Sequence, residues 1–388
     1  MEKCMENIFI VNGEIYVNHQ FQKGVLELRD GCMYLYPEQR ALPKEIRILD
    51  ADGKKVVPGF LDIHTHGAVG VDVNGAATDD LERIGAFFAG NGTTSWLASV
   101  LTDTKEQTEW CISQYNAYKK SKRKGAQLLG VHLEGPFLAS EYKGAMPEEL
   151  LLKGSAELVK KYQSLAEGGI RYMTISPEVE GVFDLLPILK EQGIVAAMGH
   201  SGADYATAVQ AIECGVQAVT NLGNAMRLLH QHEPAIFGAA LESEVYCEII
   251  CDGKHLHPGT VRLIVKTKGA GRVIAVTDSI MAAGLPDGNY HLGVNEVIVE
   301  KGDAKLASNG VRAGSTLTQN LALRNLLAFT GLSLEEVLPM LTENPARLIG
   351  VYDRKGSIAE GKDADLVLLN ENNEVDTVII GGEIWNMS

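Results

Sequence analysis

The chain has 388 residues, 45% of them hydrophobic and 22% charged, with a formal net charge of -15. That length exceeds one small domain and suits a large α/β barrel with one attached module. The acidic balance argues against nucleic-acid or acidic-membrane partners, which need a basic surface, and no apolar run approaches the roughly 20 residues that span a bilayer.

The start, Met1-Glu-Lys-Cys-Met-Glu-Asn7, lacks the basic and apolar pattern of a secretory signal, so a cytoplasmic location is expected. Residues 1–58 read as short alternating segments, such as Ile8 to Val11, Val25 to Leu28 and Ile46 to Leu49, broken by Gly, Asn, Asp and Pro. From Phe60 the texture changes to short apolar strands alternating with longer helical patterns, the signature of repeated βα units. Strands are predicted at 60–65, 93–98, 128–133, 170–175, 194–199, 216–220, 246–251 and 272–277, a number that closes a (β/α)8 TIM-like barrel. Helices are predicted over Asp79 to Ala89, Asp103 to Lys120 and Asp204 to Cys214, each opening near an Asp that can cap free amides. From residue 352 to 388 strand and turn texture returns. The expected organisation is therefore a barrel over 59–351 and a discontinuous β-sandwich from 1–58 plus 352–388. Six scattered cysteines form no Cys-x-x-Cys pair, and buried reduced thiols are the expected state, Cys247 and Cys251 being packed in a strand.

Active sites of such barrels lie where the strands end. The first predicted strand ends at His64 and His66, the third at Glu134, the fifth at His200, the sixth at Asn221, the seventh at Asp252 with His255 close behind, and the eighth at Asp278. Period-two geometry puts both imidazoles of His64-Thr-His66 on one side of a strand, half of a metal site. A lone His200 is often a hydrogen-bonded structural residue, Glu134 before Gly135-Pro136 could end a turn, and Asp278 could cap a helix. At the ends of five or six strands of one barrel, those separate explanations become jointly improbable. The set suits zinc, iron or manganese. His19, His230, His257 and His291 lack this context and read as ordinary surface or loop residues.

The chemistry that follows is hydrolysis. A divalent cation lowers the pKa of bound water towards about 7 and polarises a carbonyl. Asp278 is placed to take the water proton and return it to a leaving nitrogen. His255 is placed to hold a substrate hydroxyl or the acyl oxygen.

The residues resemble the N-acetylglucosamine-6-phosphate deacetylases of the amidohydrolase superfamily. The matching stretches are Pro58-Gly-Phe-Leu-Asp-Ile-His-Thr-His-Gly67, His132-Leu-Glu-Gly-Pro-Phe137, Met198-Gly-His-Ser201, Thr220-Asn-Leu-Gly-Asn-Ala-Met226 and Asp252-Gly-Lys-His255. Val276-Thr-Asp278, Gly284-Leu-Pro-Asp-Gly-Asn-Tyr290, Ala313-Gly-Ser-Thr-Leu317 and Glu343-Asn-Pro-Ala346 complete the series over nearly the whole chain. The resemblance implies a barrel with a β-sandwich, metal ligation by Glu134 and His200 and an acid/base role for Asp278. It also implies sugar contacts from Asn224, Ala225, Ala145, His255, Ala313 and Gly314, and a homodimer. The implied activity removes the N-acetyl group of N-acetylglucosamine-6-phosphate, with one or two zinc, iron or manganese ions per chain. Two alternatives are an amidohydrolase acting on another N-acyl sugar or amide, and a non-catalytic amino-sugar-phosphate sensor.

Three positions depart from the family pattern. Asn221 stands where the family usually has a histidine, Met146 replaces a substrate-contacting histidine, and His232 replaces the arginine that grips the phosphate. An amide is a poorer metal donor than an imidazole. A histidine cannot reproduce the permanently charged bidentate contact of an arginine. The expectation is that metal at His64, His66 and Asp278, bridged by Glu134, dominates, with the Glu134/His200 position weak or empty. Lys143, Arg227, Lys254 and Arg312 are the candidates to replace the missing charge.

Overall fold

A computed structural model describes residues 7–38, 42, 46–121 and 123–385. Cys4 and the rest of the first six residues lie outside them. Eight parallel strands, Phe60–Asp62, Thr93–Leu101, Gln127–Glu134, Ile170–Ile175, Val195–Met198, Ala218–Val219, Tyr246–Ile250 and Val273–Val276, pair each with the next in sequence. Every residue of Thr93–Leu101 is buried. Helices cover the outer face and side chains fill the barrel, so these strands carry continuous apolar runs rather than an alternating pattern. The last strand returns to the first just beyond the regular ladder: Asp278 N–H donates to the His64 carbonyl at 2.9 Å, and Thr65 bridges Ser279 in parallel register. Buried Asp62 reinforces that seam by accepting from Thr277 Oγ1 at 2.5 Å.

The helices Thr78–Gly90, Lys105–Lys119 and Tyr205–Glu213 form where the apolar spacing puts them. Their caps differ from the expectation at two of three ends. Asp204 accepts from Thr207 N–H at 2.8 Å. Thr104 rather than Asp103 caps the second helix. Asp80, not Asp79, turns back to the Ala77 amide of the first. In each case the acceptor must sit at the last non-helical residue or three beyond it, a spacing of single residues that composition does not resolve.

The first and last stretches of the chain share one eight-stranded sheet. Ile8–Val17, Gln20–Arg29, Cys32–Tyr36, Arg47–Asp50 and Lys55–Pro58 come from one end, Leu366–Leu369, Val375–Ile380 and Glu383–Trp385 from the other. The join is Lys55–Pro58 against Leu366–Leu369, antiparallel. The sheet has its own core, including Ile10, Leu26, Val56, Leu366 and Leu368. Lys355, buried, pairs with Asp363 at 3.0 Å and with Asp365. Asp365 in turn accepts from Gly381 N–H at 2.8 Å, and its carbonyl accepts from Gly59 N–H, immediately before the first barrel strand. A three-stranded antiparallel sheet, Gly288–Leu292, Asn295–Glu300 and Asp303–Leu306, follows the last barrel strand and is not foreseen from the sequence. Its apolar face packs on Leu101, Leu138, Met146 and Ile280 at the barrel mouth. Among the described residues no helix is long and apolar enough to cross a membrane.

Candidate active site

The strand ends deliver their polar residues to one place. His64 Nε2 and His66 Nε2 lie 3.1 Å apart. Glu134 reaches His64 Nε2 at 3.4 Å with Oε1 and His66 Nε2 at 3.3 Å with Oε2. Asp278 Oδ1 stands 3.2 Å from His66 Nε2 and 3.6 Å from His64 Nε2. His200 Nε2 joins from the other side of Glu134, 3.1 Å from Oε1. All five groups are buried.

The outer nitrogens fix the tautomers. His66 Nδ1 faces the Ser99 carbonyl at 3.1 Å and His200 Nδ1 the Tyr142 carbonyl at 2.9 Å. A carbonyl only accepts, so Nδ1 carries the proton and Nε2 turns a lone pair inward. His64 Nδ1 faces Glu248 Oε2 at 3.1 Å, with the same result. With the rings neutral, three imidazole lone pairs and two carboxylates therefore converge without a donor of their own. Such a set repels itself unless a cation or added protons sit among it, and a buried group of this kind could hold a metal. The ligand atoms of His64, His66 and Glu134 all lie within 4.8 Å of one another.

The electrostatics report the same pull. Burial works against a charged His64, yet Glu134 and Asp278 outweigh it and raise its pKa well above the usual imidazole range. For His66, burial is again overcome, by hydrogen bonds to Asp278 and Glu134, and the pKa rises to about 9. Burial alone would raise Glu134, but His64 and His200 hold it well below the ordinary carboxylate value. His132 is different: burial and the neighbouring His64 push it well below the usual range. It stays neutral between Ser99 Oγ at 2.8 Å and Thr174 Oγ1 at 2.9 Å, its ring edge-on to His64.

Above the cluster opens a cavity of about 590 Å³, lined by His66, Glu134, His200, Asn221 and Asp278 and by every expected sugar-contacting residue: Ala145, Asn224, Ala225, His255, Ala313 and Gly314. This is the size of a small-molecule site. His64 is absent from the lining and lies one layer beneath it. His255 is aimed by Asp252, which accepts from its Nδ1 at 2.7 Å and from its backbone N–H at 2.8 Å. Although burial opposes it, the His255 contact keeps the Asp252 carboxyl below its ordinary value. Backbone at these corners is unusual: His200, Asn221, Ala225 and Asp278 have φ of 48°, 50°, 46° and 48°. Left-handed conformations are costly for non-glycine residues and cluster at functional sites. Gly67, after His66, is required for space, since a Cβ there would come within 2.1 Å of the Val71 carbonyl oxygen.

The departures resolve in different ways. Met146 is buried in the apolar layer under the three-stranded sheet. His232 is exposed and does not line the cavity; its ring meets Gln231. Of the four candidate cations, Lys143 and Arg312 line the cavity, and Arg312 is already paired with Asp303 at 2.9 Å. Lys254 is turned to the Lys301 carbonyl at 2.7 Å. Asn221 lines the cavity, and its Oδ1 is buried without a hydrogen-bond partner.

The amidohydrolase family pattern matches residues 55–385. The chain belongs to the amidohydrolase family. Within it, the chain groups with the N-acetylglucosamine-6-phosphate deacetylases. It is 36% identical over 372 residues to the one from Bacillus subtilis (strain 168), covering 95% of this chain and 94% of that protein. An N-acetylgalactosamine-6-phosphate deacetylase of Escherichia coli O157:H7 is 32% identical over 88% of this chain and 90% of its own length. The crystal structure of the N-acetylglucosamine-6-phosphate deacetylase from Pasteurella multocida superposes with a TM-score of 0.92 at 30% identity, covering 98% of this chain and 99% of that one. The barrel is thus the amidohydrolase barrel, and the chain is a carbon–nitrogen hydrolase of the linear-amide class.

Sequence reasoning missed Glu248, Ser99 and the Tyr142 carbonyl, which orient the three histidines. Glu248 left a trace: a carboxylate inside the apolar segment Tyr246-Cys-Glu-Ile-Ile250 needs a buried partner.

Proposed function

We propose that this protein hydrolyses the N-acetyl group of N-acetylglucosamine-6-phosphate, giving glucosamine-6-phosphate and acetate, with a divalent cation held by His64, His66, Glu134 and Asp278. The observation that carries the reading is the convergence of donor-free Nε2 atoms and carboxylates at the floor of the cavity, in a chain of this family. Zinc, iron or manganese fits the donor set.

A cation bound there supplies an activated water at neutral pH and polarises the amide carbonyl. The protein's own groups do the rest. Asp278 accepts a proton as the water oxygen bonds to the acyl carbon. It returns that proton to the sugar nitrogen as the carbon–nitrogen bond breaks, so the amine leaves uncharged rather than as an anion. His255, locked through Nδ1 by Asp252, presents Nε2 to the substrate. Asn224, Ala225, Ala313 and Gly314 shape the pocket for the sugar. Gly314 has φ of 62°, and a Cβ there would press to 2.9 Å from the Asp278 carbonyl oxygen, so the loop rests directly on the acid/base residue.

A second reading, a related N-acyl amino sugar, draws support from His232 and Met146. Neither supplies the cavity with the polar contact the family pattern would give it. Release of acetate and free amine from N-acetylglucosamine-6-phosphate, N-acetylgalactosamine-6-phosphate and unphosphorylated N-acetylglucosamine, with and without chelator, tests both. Preference for the first substrate supports the proposal. Indifference to the phosphate supports the second reading. Binding without turnover, in the presence of metal, points to a sensor.

A further inference from the structure

We infer that Asn221 makes this a single-ion centre: one zinc or iron is held at His64, His66, Glu134 and Asp278, and the position between Glu134 and His200 has no resident partner. The inference rests on the hydrolase reading above and concerns how many ions that site retains. On one side of Glu134, four protein donors meet: two imidazoles, Glu134 itself and Asp278 Oδ1. Donors of this type suit zinc or iron. On the other side, among the described residues, His200 Nε2 meets Glu134 Oε1 at 3.1 Å, an oxygen that also faces His64 Nε2 at 3.4 Å. Asn221 lines the same cavity as Glu134 and His200, and its Oδ1 is buried and unpartnered.

A neutral amide oxygen suits hard ions with many oxygen ligands and is a poor substitute for imidazole towards zinc or iron. Losing a partner that merely orients a ligand costs about 10–100-fold in metal affinity, and losing a direct ligand costs at least that. The substitution is also local. Asn221 sits at φ 50°, a conformation in which Asn and His are both enriched, so the same backbone accepts an imidazole.

The test is zinc content by mass spectrometry and calorimetric zinc titration on the full chain, comparing wild type with Asn221→His, His200→Ala and His66→Ala. One equivalent in wild type, a second gained in Asn221→His, one retained in His200→Ala and none in His66→Ala is the expected result. Two equivalents in wild type, or loss of the ion in His200→Ala, overturns the inference and leaves the hydrolase reading standing. If Asn221→His does not fold, the two alanine variants decide alone. Absence of zinc and iron from the wild-type protein under saturating metal defeats the hydrolase reading together with the inference.

Discussion

Glu248 Oε2 lies 3.1 Å from His64 Nδ1, and both side chains are fully buried. The pair spans 184 residues of sequence and joins the seventh barrel strand to the end of the first. A carboxylate behind a ligating imidazole fixes its tautomer and raises its basicity. Glu248→Gln keeps the shape and removes the charge. Metal affinity, read by competition with a chromophoric chelator, is expected to fall about 10–100-fold, with the circular dichroism spectrum unchanged. Unaltered affinity would show that Glu248 only fills space.

Asp278→Asn removes the proton carrier and leaves His64, His66 and Glu134 in place. A drop in kcat of about 10²–10⁴ is expected, with KM changed only a few-fold. Metal analysis of the same preparation separates loss of proton transfer from loss of the ion.

Asp252→Asn weakens the hold on His255 without touching the metal ligands. A hydrogen bond to a charged group contributes about 1.5–3 kcal/mol. The effect is expected in KM, a rise of roughly tenfold, while kcat moves less than about threefold. Steady-state kinetics on the phosphorylated substrate reads both. A kcat effect larger than the KM effect would place His255 in the chemical step.

Lys355→Met leaves Asp365 buried beside an apolar side chain. Breaking one partner of a buried ion pair costs about 3–5 kcal/mol. Because Asp365 also receives Gly59 and Gly381, the loss falls on the junction of sheet and barrel. The urea midpoint, followed by far-ultraviolet circular dichroism, is expected to move down, and Lys355→Met with Asp365→Asn should recover part of it.

Burial pushes the Cys111 and Cys247 thiols from 9.0 up to about 12 and raises Cys251 as well. In the native protein at pH 9, Cys214 on the surface should alkylate quickly, and the three buried thiols only after unfolding. Mass mapping of labelled peptides checks this. The linkage sign follows. A thiol that stays protonated when folded contributes its full stability below 9.0. That contribution is lost as pH rises towards 12, because only the unfolded chain releases the proton.

The barrel was legible because each strand is a short apolar run bounded by polar residues, and because function gathers at the run's end. His64, His66, Glu134, His200 and Asp278 could all be found by reading the next polar residue after an apolar strand. The orienting groups could not. Ser99 and Tyr142 act through backbone carbonyls, which carry no sequence signature. Glu248 acts across the barrel, a relation fixed only by closure. The sheet from Gly288–Leu292 to Asp303–Leu306 was missed although its strands alternate between buried and exposed positions, because they are short, 5, 6 and 4 residues, and Gly284 to Tyr290 reads as turn.

The seam that closes the barrel runs through the chemistry. Asp278 N–H is bonded to the His64 carbonyl, and His66 N–H to the Ser279 carbonyl at 2.7 Å. A chain still emerging from the ribosome, or cut short before its last barrel strand, holds the His64-Thr-His66 pair but neither the acid nor the neighbour that locks the pair in place. On the proposed reading, full metal capture thus waits for the last barrel strand. Copies cut short before that strand are expected to turn over no substrate and to hold the proposed ion more weakly, which metal analysis of a truncated chain would read.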